Sequence, residues 1–94
     1  MKWFVIRQNN TGGSFRGPMS VLVLGSDQAD AWAKARNAGW VREGGGCDCC
    51  GPRWDPYDVT AAANFAAAVT AAKARFASNK HNPGFGVVAY WILY

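Results

Sequence analysis

Cys47, Cys49, Cys50 and His81 offer the ligand types of a structural zinc site, because thiolate sulfur and imidazole nitrogen are the donors that Zn²⁺ prefers. Their spacing departs from the common form. Paired zinc cysteines stand two to four residues apart so that both sulfurs reach one ion; here a C-x-C pair runs directly into a third cysteine, and the histidine lies about thirty residues further on. Two readings stand side by side: zinc held by two cysteines, His81 and a fourth ligand or a second subunit, or reduced cysteines buried in a tight turn with no cofactor. A cysteine nucleophile with His81 as its base lacks any oxyanion signature. There are no paired carboxylates of a glycosidase and no P-loop, and Gly44-Gly45-Gly46 lacks the spacing of a dinucleotide fingerprint. The expectation is a protein that is not an enzyme.

A second constellation is distributed over two segments. Arg7, Gln8, Asn9, Asn10, Thr11 and Ser14 follow one another near the N-terminus, and Arg53, Trp54 and Tyr57 sit behind the cysteines, with Arg42 as a further cation. Arginine grips phosphate with a bidentate fork, Asn and Gln match the edge of a base, and Trp or Tyr stacks on its face. Those are the parts of a nucleotide pocket. Residue by residue the plainer reading is structural: Asn9 and Asn10 shape a turn, Arg53 is a surface residue and Trp54 belongs to the core. What favours the joint reading is density, since amides, arginines and aromatics gather in two segments of an otherwise alanine- and valine-rich chain.

These residues need elements to position them. Residues 2–8 alternate Trp3, Val5 and Arg7 against Phe4, Ile6 and Gln8, with the aromatic and β-branched content of a strand. Asn9-Asn10-Thr11-Gly12-Gly13 then reads as a turn, and Ser20–Leu24 as an antiparallel partner strand. Ser26 is placed to cap a helix over 27–38, with Asp27 and Asp30 in the first turn, Lys34 and Arg36 late, and Gly39 as the stop. Trp32 falls on its apolar face, and Trp40–Arg42 allows a short strand. Residues 47–57, with Gly51, Pro52 and Pro56, read as an ordered irregular loop. Asp55 or Asp58 would cap the next helix, which has ten alanines between 61 and 77 and a stripe of Phe65, Val69 and Phe76. The nearly continuous apolar run from Phe85 to Leu93 reads as a strand buried on both faces. The expected fold is α+β: one compact domain over 1–94, with a small three- to four-stranded, mainly antiparallel sheet, two helices on one face and the C-terminal strand central.

Composition bounds the partners. Ninety-four residues hold one core, and 50% apolar with 17% charged residues exclude an intrinsically disordered chain. Ten Lys and Arg against six Asp and Glu give +4, but the cations are spread singly along the chain, so an anionic partner is favoured without the dense face of a nucleic-acid binder. The apolar run Trp3–Ile6 is too short for a signal-peptide core, and nothing approaches the roughly 18 apolar residues of a membrane span. The expectation is a cytoplasmic protein without a membrane partner. Three cysteines close together do not form the disulfide framework of a secreted domain.

The stretches Trp3-Phe4-Val5-Ile6-Arg7-Gln8-Asn9-Asn10-Thr11-Gly12-Gly13 and Cys47-Asp48-Cys49-Cys50-Gly51-Pro52-Arg53-Trp54 carry a resemblance. They are similar to a group of small, functionally uncharacterised tailed-phage proteins. These proteins open with an aromatic strand running into an Arg-Gln-Asn-Asn-Ser/Thr-Gly-Gly turn and carry a Cys-x-Cys-Cys-Gly-x-Arg-Trp loop. The match covers roughly residues 1–60. It implies a viral origin, and hence a host-cell cytoplasm. By looser analogy the chain looks like the sponge proteins with which phages sequester immune nucleotides, the cyclic ADP-ribose-type signals of Thoeris systems and the cyclic oligonucleotides of CBASS systems. That analogy implies a non-catalytic binder of a phosphate-bearing nucleotide, enclosing it as a homodimer or larger closed oligomer. The alternative is a zinc-stabilised module binding a host protein or nucleic acid.

Overall fold

The computed structural model describes residues 1–8, 17–42, 46–47, 51–52, 54–77 and 87–94. The chain runs β1 (Lys2–Gln8), β2 (Gly17–Gly25), α1 (Gln28–Asn37), β3 (Gly46–Cys47), β4 (Gly51–Pro52), β5 (Trp54–Ala62), α2 (Phe65–Ala77) and β6 (Val87–Leu93). This is the expected α+β class. Four strands form one sheet in the order β5-β1-β2-β6, and β3 and β4 form a separate two-stranded ribbon. β1 is antiparallel to both β2 and β5, and β6 lies parallel to β2.

Two placements differ from the sequence reading. The C-terminal strand is not central: β6 closes one edge, and β1 and β2 occupy the middle. The helices do not share a face. Phe4, Ile6, Val21 and Val23 pack with Ala31, Trp32 and Ala35 of α1, whereas the alternate residues Val5 and Leu22 pack with Ala68 and Ala72 of α2. Chain topology explains the second difference. β2, β5 and β6 all point the same way, so β2-α1-β5 and β5-α2-β6 are parallel crossovers that traverse the sheet in opposite directions. Both can have the same, right-handed sense only if the two helices lie on opposite faces. The run Phe4-Val5-Ile6 thus carries the two-sided burial that the sequence reading assigned to residues 85–93.

Local signals place α1 within a few residues. Asp27, not Ser26, caps α1: its Oδ1 accepts from the Asp30 N–H at 2.8 Å, and Asp30 reaches back to accept from the Ser26 N–H at 2.9 Å. Gly25 lets the end of β2 approach this turn, since a Cβ there would stand 3.1 Å from the Ala31 nitrogen. Gly39, at φ 79°, takes the left-handed conformation that stops the helix. Lys34 Nζ donates to the Leu24 carbonyl at 2.8 Å and pins α1 to β2.

Trp40–Arg42 forms no strand, although Val41 is buried on the α1 side. The segment 47–57 is not wholly a loop either, because its second half is β5. Neither Asp55 nor Asp58 caps α2, which begins at Phe65. Asn64 sits at that helix start, its Oδ1 accepting from the Ala67 N–H at 2.8 Å. Alanine favours helices, but pairing of Ala61 and Ala62 with Phe4 and Trp3 of β1 overrides that preference. The seam of α2 is made by the fully buried Ala68 and Ala72, with Val69 only half-buried and Phe65 exposed against Trp3.

Candidate functional site

β1 ends where β2, β5 and β6 begin, so Gln8, Gly17, Trp54 and Val87 mark one end of the sheet. Gln8 is the cross-strand partner of Trp54. The two segments singled out by their chemistry are therefore joined to the sheet side by side, which neither segment announces alone. Alternation splits the residues between faces: Arg7 follows Val5 toward α2, and Gln8 follows Ile6 toward α1.

Two of the residues expected to contact a ligand are buried in the fold. Gln8 is 1% exposed, and its Nε2 donates to the Pro18 carbonyl at 3.0 Å. Burial commits this amide to the fold, because a buried polar group left without partners costs about 1–3 kcal/mol. Trp54 is 3% exposed within the α1-side core, so no base can stack on it. Arg42 is exposed and follows Val41 on the α1 side, whereas Arg7 stands on the α2 side. Asn9, Asn10, Thr11, Ser14, Arg53, Cys49, Cys50 and His81 lie outside the described residues. Cys47 and Tyr57 are described by their backbones: Cys47 pairs with Gly51 in the β3–β4 ribbon, and Tyr57 lies in β5. Among the described residues no cluster of His, Cys, Asp and Glu could hold a metal.

Arg7 remains, half-buried. It lines a cavity of about 300 Å³ between β1, β5 and α2, whose walls are otherwise small or apolar: Val5, Thr60, Ala62, Ala67 and Ala71. Arg7 is the one charged group among its described lining residues. The alanines of α2 leave this space because they approach the sheet without filling it.

Two neighbours escaped the sequence reading. Arg75, late in α2, donates from Nη2 to the Gln8 carbonyl at 2.9 Å and brings a second guanidinium to the same end of the sheet. Ser20 stands in register between Arg7 and Tyr90 on the α2 side, fully buried, and among the described residues its Oγ has no hydrogen-bond partner. Helical spacing marks Arg75 only as a late cation; its partner lies 67 positions away, so no local signal could have found it. The family model for a domain of unknown function, DUF7296, matches residues 1–83, and the chain belongs to that family. No curated protein matches the chain. No solved structure matches it. No helix among the described residues is long and apolar enough to cross a membrane.

Proposed function

We propose that the chain is a non-catalytic binder of a small phosphate-bearing ligand, held at the Arg7 end of the sheet. The observation that supports this most is the cavity itself. At about 300 Å³ it falls at the lower end of the range for small-molecule sites, and it presents one guanidinium among side chains that are otherwise small or apolar. Such a wall orients an anion by a bidentate fork and gains strength from the low dielectric around it. Arg75 is a positioning residue in this reading, holding the end of β1 through the Gln8 carbonyl. The resemblance to tailed-phage proteins directs the choice of ligand to nucleotide signals of host immunity, cyclic ADP-ribose-type molecules first and cyclic oligonucleotides second.

A thermal-shift panel of these nucleotides, with ADP-ribose and inorganic phosphate alongside, tests the reading. A true ligand at 100 times its Kd adds roughly 2.7 kcal/mol of stability. The shift should vanish in Arg7→Ala and persist in Arg42→Ala. A panel in which no nucleotide moves the transition removes the proposal.

A further inference from the structure

Among the described residues β6 (Val87–Leu93) is hydrogen-bonded to β2 on one side only, so its other side presents a row of backbone donors and acceptors at the sheet edge. Natural sheets guard such edges with charge, proline or a bulge. β6 has none of these. Its sequence, Val-Val-Ala-Tyr-Trp-Ile-Leu, carries no charged residue, and its register against β2 is unbroken. Val88 is 41% and Trp91 39% exposed. Along the strand runs a shallow depression lined by Trp40, Tyr90, Trp91 and Ile92. Tyr90 and Ile92 belong to the α2 side and Trp91 to the α1 side, so the depression straddles the open edge. Among the described residues α1 packs over β1, β2 and β5, and this flank is met by Trp40, edge-on to Trp91 at 5.2 Å.

We propose that this edge pairs antiparallel with the β6 of a second copy, making a two-fold dimer with one continuous sheet. This goes beyond the ligand reading and does not depend on it. The occupant follows from three observations. A chargeless strand offers no counter-ion to an acidic or basic peptide, whereas an identical strand meets it without burying a charge. Antiparallel self-pairing centred on Tyr90 is isologous, setting Val88 against Ile92 and Ala89 against Trp91 of the second copy with each side chain on its proper face. Pairing also stops at two, because the edges left over are both β5, whose ladder is broken between the Ile6 and Gln8 pairs by a stretch holding Asp55, Pro56 and Asp58. The Arg7 cavities then lie at opposite ends of the dimer, outside the contact.

Size sets the affinity class. Seven residues span about 24 Å at about 3.4 Å each, and the molecule is 18 Å through its thinnest extent. The two edges together thus offer on the order of 900 Å², near the lower bound of about 1,000 Å² for a specific interface. A reversible dimer is expected, not an obligate one. Since each chain carries +4, added salt should favour association by screening.

Sedimentation equilibrium of the full chain from nanomolar to high micromolar concentration tests this. The mass should rise from 10.1 kDa toward twice that value, and Val88→Lys and Trp91→Lys should each hold it at the monomer. Circular dichroism checks that both variants fold. Amide hydrogen exchange of the unaltered protein supplies an independent readout: β6 amides should slow as concentration rises while β5 amides do not change. A mass of one chain at every concentration, growth beyond two copies, or a doubling that leaves β6 exchange unaltered would overturn the proposal.

Discussion

β5 and β6 both border the sheet, yet they meet solvent differently. β5 is anchored inward: Trp54 and Val59 lie in the α1-side core, and Gln28 at the start of α1 donates from Nε2 to the Val59 carbonyl at 2.7 Å. Its register against β1 is interrupted between the Ile6 and Gln8 pairs, and its sequence there holds two aspartates and a proline. β6 is an unbroken apolar ladder in which Val88 and Trp91 stay exposed, Trp91 meeting Trp40 edge-on at 5.2 Å. The edge that serves the core is thus irregular, and the edge that serves the core less is regular and carries no charge. Substitutions on the two strands should separate these roles.

The largest effect belongs to Trp54. Replacing it with alanine empties a site in the core and should cost about 3–5 kcal/mol in chemical unfolding. A loss below about 1 kcal/mol would mean the ring is not packed there, and would restore it as a stacking surface for a ligand. Next is the pin on β5: Gln28→Ala removes the donor to a carbonyl of the buried Val59 and should cost about 1 kcal/mol. No loss would show that β5 is held by packing alone. On the opposite edge, Val88→Lys should change the stability of the monomer by about 0.5 kcal/mol or less, read at concentrations where pairing is absent, because the side chain is already exposed.

The smallest effect is that of pH on the α1 turn. The Ser26 backbone N–H holds the Asp30 carboxyl below its ordinary value of 3.8; burial opposes this, and Lys34, 3.7 Å away, adds to it. A carboxyl lowered in the folded state contributes stability above 3.8 that is lost as pH falls through the lowered value. Asp30→Asn should therefore flatten the acid limb of the stability profile slightly, leaving Trp54→Ala with the same pH dependence as the unaltered chain. An unchanged acid limb in Asp30→Asn would assign that limb to other carboxyls.

Much of the fold was legible. β1, β2 and α1 can be read to within a few residues because hydrophobic alternation, caps and a stop glycine are local signals. β5 cannot, for a physical reason: Asp55, Pro56 and the alanines speak against a strand, and only pairing with β1 makes one. The candidate site was legible in part. Arg7 lines the cavity between β1, β5 and α2, whereas Gln8 and Trp54, of types equally suited to binding, are buried in the core. Residue type does not reveal burial when a strand alternates between two covered faces.

The sequence by itself determined the class of fold, the start and stop of α1, the strand character of β1, β2 and β6, and the mild positive charge, because each depends on neighbours within a few positions. Tertiary structure alone decided that the helices take opposite faces, that the apolar C-terminal strand is an edge, and that Arg75 meets the end of β1. Those facts rest on contacts between residues far apart in the chain and on the handedness of its crossovers. An apolar strand reads the same whether it lies at the middle of a sheet or at its edge.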